Sequence, residues 1–300
     1  MVEVSVIIIN YNTRETTLAC INTVVEQSRD IAYEIIVVDN ASTDGSRECF
    51  AADKRIKYIY NGENVGFGRA NNIGMRAAQG KYLFLLNSDT LLTDNALKIF
   101  YDAAESFGSR LGAMGCILLD KQQRPTHSYG RFITIGSSLS EPFLRLWNRI
   151  AHKESKMYRP TIPSGTLYVD YVSGADMFVP RSVFEQTGGF DKDFFMYAED
   201  VDWQYRMSKA GLDRIIIGGP HIIHLEGGSD ASQRQQWSFS RLSNALRSRM
   251  LYIKKHNPHI AYITFRFLFA IIRIPSVFAA GGYTFEQKRA LLRLLTIGKL

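Results

Sequence analysis

Three cysteines in 300 residues, Cys20, Cys49 and Cys116, are too few and too scattered to staple a fold. Their odd number and the lack of any C-x-x-C pair exclude a disulfide framework and a thiolate metal centre, and point to a reducing, cytosolic compartment. Glycine is missing where a dinucleotide fold would need it: the first apolar run, Val4 to Ile9, is followed by Asn-Tyr-Asn-Thr-Arg-Glu, which rules out the phosphate-binding turn of a dehydrogenase. No basic segment precedes that run and no small-residue cleavage site follows it, so it reads as a buried first strand and not as a signal peptide. Acid is nearly absent from the end of the chain. Residues 241 to 300 hold eleven Lys or Arg against the single acid Glu286, a net +10, whereas the first 240 residues sum to −3. A tail of that charge meets something anionic, nucleic acid or a phospholipid surface, and charge alone does not choose between them. Its aromatics lie in apolar runs and do not alternate with Lys or Arg in a nucleic-acid module, which disfavours nucleic acid. The composition that remains, 46% hydrophobic and 22% charged, is that of a globular chain with one large domain, with or without appendages.

Along the chain, short apolar runs alternate with helical periodicity. Val4 to Ile9 reads as a strand buried on both faces, and Leu18, Ile21, Val24 and Val25 recur at helical spacing. Strands follow at Ile35 to Val38, Ile56 to Tyr60, Tyr82 to Leu86 and Ala113 to Leu119, separated by helices at Arg47 to Ala52, Phe67 to Ala78 and Asp94 to Phe107. This alternation predicts an α/β fold with a doubly wound, mostly parallel sheet, because parallel strands need helical crossovers. Polar residues stand at the strands' carboxyl ends, Asn10 to Asn12, Asp39, and Asn87 to Asp89, the edge at which such sheets bind ligands. Residues 120–167, without clear periodicity and with Pro125, Pro142, Pro160 and Pro163, read as a variable insertion. Beyond it come a strand-like stretch from Tyr168 to Val179, a helix from Asp200 to Ala210, strands at Arg214 to Ile217 and His221 to Leu225, and a helical, basic tail.

Four segments, VSVIIINYN at 4–12, EIIVVDNASTDGS at 34–46, NVGFGRANNIG at 64–74 and LFLLNSDT at 83–90, resemble in order and spacing the nucleotide-sugar-binding half of family-2 glycosyltransferases. The stretch GADMFVPRSVFEQTGGFDKDFFMYAEDVDWQYRMSKAG at 174–211 is similar to that family's acceptor half. The resemblance covers roughly residues 4–228 and is greatest to the rhamnosyltransferase-like enzymes of bacterial surface polysaccharides. It implies an A-type glycosyltransferase fold with residues 1–230 as catalytic domain (1–119 for the donor, 120–167 the insertion, 168–230 for the acceptor); residues 231–300 lie beyond the resemblance, and their charge and apolar runs read as a helical, basic, membrane-associating tail. A pyrophosphorylase shares such a sheet, but neither its Gly-rich, Arg-containing loop after the first strand nor a repetitive C-terminal domain is present.

By itself Asp39 reads equally well as a turn-stabilising Asx residue. The resemblance makes it the acceptor of a base N3–H, with Tyr11 or Asn12 lining the base pocket, and only uracil or thymine offers that imino donor between two carbonyls, hence UDP or dTDP. Asn10, Ser42, Asn64, Gly66 and Asn72 complete the implied donor pocket with Asn87, Ser88 and Asp89. The last three occupy the family's D-x-D position, where a hard divalent cation, Mn2+ or Mg2+, bridges carboxylate and diphosphate. Asn87 replaces the first acid, so Asp89 supplies the direct carboxylate, and His224, which matches the family's downstream histidine, is the second implied metal ligand. His221, three residues away on a strand-like run, faces the other way.

Glu199, Asp200 and Asp202 open a helix, where free N–H groups favour negative charge and simple capping is the plain reading. By resemblance Asp200 is the general base and Glu199 binds the acceptor with Gly174, Asp176 and Trp203, although a tryptophan at that spacing is more often core. The tail's span from Ile260 to Ala280 is long enough for a membrane helix, but Arg266, Arg273 and Pro275 speak against a spanning one. Arg266 and Arg273, seven apart, share a face, which suits an in-plane helix with its bases at anionic headgroups; packing on its own domain or on a partner in a homodimer is the alternative. The expectation is an inverting, metal-dependent enzyme, peripheral on the inner face of the cytoplasmic membrane. It would move a sugar, rhamnose among the candidates, from UDP or dTDP to a lipid-linked saccharide in O-antigen or capsule synthesis, without nucleic-acid partners. A catalytically silent, membrane-bound partner of an assembly complex is the rival that Asn87 leaves open.

Overall fold

The run of β-branched residues that opens the chain forms β1 (Val4–Asn10), buried on both faces. Its alternation sorts the core into two layers. Val4, Val6 and Ile8 pack with Cys20, Ile21 and Val24 of α1 (Arg14–Gln27) and with Leu97, Phe100 and Ala104 of α4 (Ala96–Phe107). Ile7 faces Ala70 and Met75 of α3 (Phe67–Ala77) and shares its layer with Trp203 and Met207 of α7 (Glu199–Lys209). In a computed structural model, residues 1–150, 160–225, 234–279 and 282–298 of the chain are described.

β2 (Tyr33–Asp39), β3 (Lys57–Tyr60), β4 (Tyr82–Asn87), β6 (Leu111–Gly115), β8 (Leu167–Tyr168), β10 (Asp176–Pro180) and β11 (Asp213–Ile216) join β1 in one sheet, in the order β3-β2-β1-β4-β10-β6-β11-β8. β1, β2, β3 and β4 are parallel, β10 runs against both its neighbours, and β11 is parallel to β6 but antiparallel to β8. The predicted α/β, mostly parallel sheet is therefore present. β5 (Thr90–Leu92) pairs with β12 (Ile222–His224), and β7 (Tyr129–Gly130) with β9 (Tyr171–Val172), in two separate ribbons.

Several elements differ from expectation. The predicted strand Ala113 to Leu119 starts earlier and stops at Gly115; Cys116, Ile117 and Leu118 stay buried, but Leu118 N–H donates to the Ser128 side chain at 2.8 Å instead of to a strand. The stretch Tyr168 to Val179 is three short strands. α2 (Ser46–Ala51) lies where expected, whereas α6 (Arg181–Thr187), entered through Pro180 and ended by left-handed Gly188, was hidden behind the strand-like run before it. The stretch taken as an insertion holds a helix, α5 (Ile135–Ile150), despite Pro142.

Two compact units are distinguished: Met1–Phe132, Arg159–Phe195 and Glu199–Gly228 form the first, and Ile133–Tyr158, Met196–Ala198 and Ser229–Leu300 the second. The second unit comprises α5, α8 (Arg234–His256), α9 (His259–Ala279) and α10 (Phe285–Ile297) around Leu246, Met250, Ile253, Phe265, Phe269, Leu291 and Leu294. A capping box between Thr284 and Gln287 starts α10, and left-handed Gly298 ends it. Arg266 and Arg273 do share one face of α9, but it is the inner one. Arg273 lies over the Phe269 ring, 5.3 Å from its centroid, and 3.4 Å from Glu141 of α5, which also pairs with Arg249 of α8. Arg266 donates to the Thr296 carbonyl in the last turn of α10, where free carbonyls attract cations. The expectation that these two bases reach for headgroups is corrected: an acid from outside the tail and a helix end claim them. No helix among the described residues is long and apolar enough to cross a membrane.

Candidate active site

Register puts the chemistry together. Asn10 pairs with Asp39 across β1 and β2, and Ile9 with Asn87 across β1 and β4, so three polar strand ends lie side by side. Because β10 runs antiparallel, its start lies at the same edge, with Asp176 opposite Leu86. Asp39 is fully buried; it accepts from Ser42 N–H at 2.9 Å and from the Tyr58 hydroxyl at 2.8 Å. Burial and this carboxylate push the Tyr58 hydroxyl far above the usual phenol range, so it stays a donor. The Ser42 side chain in turn accepts from Asn10 Nδ2 at 2.8 Å and from Asn12 N–H at 2.9 Å. Asn12 adopts a left-handed φ of +53° and holds the Thr43 N–H, while Tyr11 beside it is 43% exposed. The result is a braced cluster of polar groups at the strand ends with one open aromatic ring beside it.

The glycine-rich segment closes on this edge. Gly66 has φ +88°, and a Cβ there would stand 2.3 Å from the Phe195 carbonyl oxygen, so only glycine fits. Asn64 serves the turn by accepting Gly66 N–H at 3.0 Å. Asn72 is bound at both ends to the Phe190 backbone, at 2.7 and 3.0 Å, which commits it to docking that loop and withdraws it from the donor pocket expected of it.

Asp89 and His224 meet although 135 residues separate them. The β5–β12 ribbon sets Thr90 opposite His224, and Leu225 N–H donates to the Asp89 carbonyl at 2.8 Å. His224 Nε2 then stands 3.1 Å from Asp89 Oδ1 and 3.4 Å from Asn87 Nδ2, while Ser88 is tied to the first loop through Thr13 at 3.3 Å. Among the described residues no third His, Cys, Asp or Glu joins the pair. One carboxylate oxygen and one imidazole nitrogen about 3 Å apart match the spacing of two adjacent ligands on an octahedral cation with bonds of about 2.1 Å. A carboxylate oxygen and an imidazole nitrogen are a donor set that would suit a divalent cation such as Mg2+ or Mn2+. His221 is elsewhere, its Nδ1 2.8 Å from Asp94.

At the acid-rich helix the three carboxylates part company. Asp202 is buried and ion-paired at 3.0 Å to Arg206, which also donates to the carbonyls of Thr187 and Gly189. Its role is structural. Asp200 is half-buried and accepts from Val201 N–H at 2.9 Å and from Gly174 N–H at 3.1 Å. Desolvation nevertheless raises its pKa above the ordinary carboxylate value, with those backbone donors and the charge of His127 pulling the other way. Glu199 is buried beside Gly68 of α3, where a Cβ would stand 3.5 Å from the glutamate Cβ. Two left-handed residues, Tyr197 and Ala198, immediately precede it. Gln204 grips both backbone groups of Val172 at 2.7 Å, and so fastens to α7 the segment that presents Gly174 N–H.

Two expected acceptor ligands are reassigned. Trp203 is wholly buried, with its Nε1 on the Thr187 hydroxyl at 2.7 Å and its ring 4.8 Å from that of Phe190, so it is core. Asp176 is wholly buried and accepts Cys116 N–H at 2.7 Å; burial pushes its carboxyl up to about 7. Sequence reasoning missed Tyr58, Gln204 and Arg206. Tyr58 and Gln204 act on partners distant along the chain, which leave no local motif, whereas the i,i+4 spacing of Asp202 and Arg206 was a signal that could have found the third.

Comparisons with known proteins bear on the family and the fold. Rhamnosyltransferase WbbL of Escherichia coli K12 is 29% identical over 203 residues, 65% of this chain and 74% of its own. An N-acetylglucosaminyl-diphospho-decaprenol L-rhamnosyltransferase of Mycobacterium tuberculosis is 28% identical over 216 residues, 63% of this chain and 66% of its own. The mannosyltransferase PcManGT of Pyrobaculum calidifontis, solved with GDP-Man and Mn2+, superposes with a TM-score of 0.55 at 16% identity, over 99% of this chain and 80% of that one. The shared architecture is the A-type glycosyltransferase fold. A family model described as Glycosyl transferase family 2 matches residues 5–159, just over half the chain. With strand ends, ribbon and acidic helix arranged as above, the chain is an enzyme that belongs to glycosyltransferase family 2.

Proposed function

We propose that this enzyme transfers a sugar, with inversion, from a UDP- or dTDP-sugar to a hydroxyl of a lipid-linked saccharide at the inner face of the cytoplasmic membrane, in surface-polysaccharide synthesis. Residues 1–230 carry the chemistry and 231–300 hold the membrane. The observation that carries the reading is the meeting of Asp89 and His224 at 3.1 Å beside the strand ends, with Asp200 on the adjoining acidic helix less buried than Glu199 and, unlike Asp202, not ion-paired to Arg206. The names of the relatives, a rhamnosyltransferase and an enzyme acting on a diphospho-decaprenol, support a deoxyhexose donor and a lipid carrier.

Each residue then has a task. Asp39 accepts the base imino proton, with Tyr58 and Ser42 fixing its orientation and Tyr11 covering the ring. Asp89 and His224 hold the divalent cation, which when bound offsets the charge growing on the departing diphosphate. Asp200 takes the proton of the acceptor hydroxyl as its oxygen bonds to the anomeric carbon and the bond to the diphosphate oxygen breaks. Burial gives Asp200 a better match to a proton that must be taken near neutral pH than an exposed aspartate would have. Glu199, one residue back, orients the acceptor. The test is nucleotide release from a panel of UDP, dTDP and GDP sugars, with native lipid extract, in Mn2+ and in EDTA. Metal-dependent release from one UDP or dTDP sugar is expected; a GDP donor, or full activity in EDTA, overturns the reading.

A further inference from the structure

In α9 the residues turned to solvent are Ile260, Ile263, Thr264, Phe267, Leu268, Ile271, Pro275 and Phe278, spaced by three or four along one face. No charge interrupts them. Ile260 is 79% exposed, Phe267 67%, Ile271 53% and Phe278 61%, and Thr264, the one hydroxyl among them, spends it on the Ile260 carbonyl at 3.1 Å. The strip is about 27 Å long at 1.5 Å per residue. Phe285, at the start of α10, is 80% exposed as well. Soluble surfaces scatter single apolar residues; a continuous strip of this kind marks a partner.

From these observations we infer that the outer face of α9 is the membrane-contacting surface, lying in the plane of an anionic bilayer with Ile260, Phe267, Ile271 and Phe278 inserted below the headgroups. The occupant is identified by charge as well as by apolarity. The last sixty residues carry +10, and with Arg266 and Arg273 turned inward the bases exposed to solvent include Lys254, Lys255, Arg289 and Arg293. Lys254 and Lys255 precede the strip by a few residues, with exposed His259 at its start. An apolar face flanked by bases suits anionic lipid, whereas a second copy of this chain would bring like charge against like charge. The division of labour differs from a headgroup-binding arginine face: apolar insertion gives the affinity, and the lysines give the preference for anionic lipid. The purpose of this surface rests on the proposed lipid-linked acceptor, but its physics does not.

The experiment is flotation of the full chain with vesicles of phosphatidylcholine alone or with 30% phosphatidylglycerol (about one anionic lipid in three, enough for a surface potential). The parent, a Phe267→Glu/Ile271→Glu variant, a Lys254→Glu/Lys255→Glu variant and an Ile271→Trp reporter are compared, with circular dichroism confirming the fold. The parent should float with the anionic vesicles. The first variant should lose at least ten-fold in partitioning, and the second should lose its preference for anionic lipid. The added emission of the Ile271→Trp reporter should shift blue and be quenched by brominated acyl chains. Equal flotation of Phe267→Glu/Ile271→Glu, an unshifted reporter, or a parent that never floats overturns the proposal. So does a parent dimer that this variant dissociates without loss of flotation, which would make the strip a subunit contact. Donor hydrolysis without acceptor, measured on the same variants, should be unchanged; its absence in the parent would instead count against the enzymatic reading.

Discussion

The two units of this chain spend their polar and apolar residues in opposite ways. In the sheet unit Val, Ile, Leu and Phe are buried and the polar strand ends are collected at one edge. In the helical unit Arg249 and Arg273 are drawn onto Glu141 while Ile260, Phe267 and Phe278 stand in water. A soluble core explains the first pattern, and the inferred bilayer contact of α9 would explain the second. The lesson is that charge counted along a sequence says what a region carries, not which way it faces: the tail's +10 is real, yet two of its arginines serve internal packing.

The comparison can be broken most sharply at the polar edge. Asp200→Asn should leave donor binding within a few-fold by calorimetry and lower turnover by on the order of a hundred-fold or more, the usual worth of a general base. Next in size, Asp89→Ala and His224→Ala should each weaken Mn2+-dependent donor binding by about ten- to a hundred-fold, with little metal bound when nucleotide is absent, because the protein offers the cation only two groups among the described residues. An effect of similar size, on stability and not on binding, belongs to Asp176. Its carboxyl, pushed up to about 7, holds in the folded chain a proton that the unfolded chain has already released near pH 4. Stability should therefore fall as pH rises from about 4 to about 7 and level off above. Asp176→Asn should flatten that slope, by about 1–4 kcal/mol between denaturation midpoints taken at about pH 4.5 and about pH 8. The least is expected at the apolar face: Phe267→Glu and Ile271→Glu, each at a residue more than half exposed, should each change the stability of the lipid-free chain by no more than about 1 kcal/mol.

The sheet was legible because its signals are local. A β-branched run that ends in Asn or Asp, followed by turn residues and helical spacing, is a strand-to-helix crossover wherever it occurs, and β1, β2 and β4 fell within one or two residues of expectation. The short elements were not: β5, three residues long, exists because β12 pairs with it, and that partner is over a hundred residues away. The site divides in the same way. Asp39, Asn87 and Asp89 stand at strand ends and could be read, as could the acid-rich start of α7. Asp202 and Arg206 are four apart on one helix and their pairing was open to reading, but that Asn72 serves the Phe190 backbone and that Trp203 fills the core depends on neighbours the sequence does not place beside them. The inward turn of Arg273 depended on Glu141, which lies in a stretch whose prolines concealed a helix.

The most direct test of the central claim, that the polar edge is a catalytic centre with Asp200 as its base, is the pH dependence of the chemical step. Single-turnover transfer, with saturating donor and Mn2+, should be measured between about pH 4 and about pH 9 for the parent and for Asp200→Asn. Because burial raises the Asp200 pKa, the parent's rate should fall as pH drops through a midpoint above the ordinary aspartate value of about 3.9. In Asp200→Asn a slow residual rate should remain, with that acidic limb gone. An unchanged acidic limb in the variant, or a rate within a few-fold of the parent, would contradict the assignment and move the base to another group.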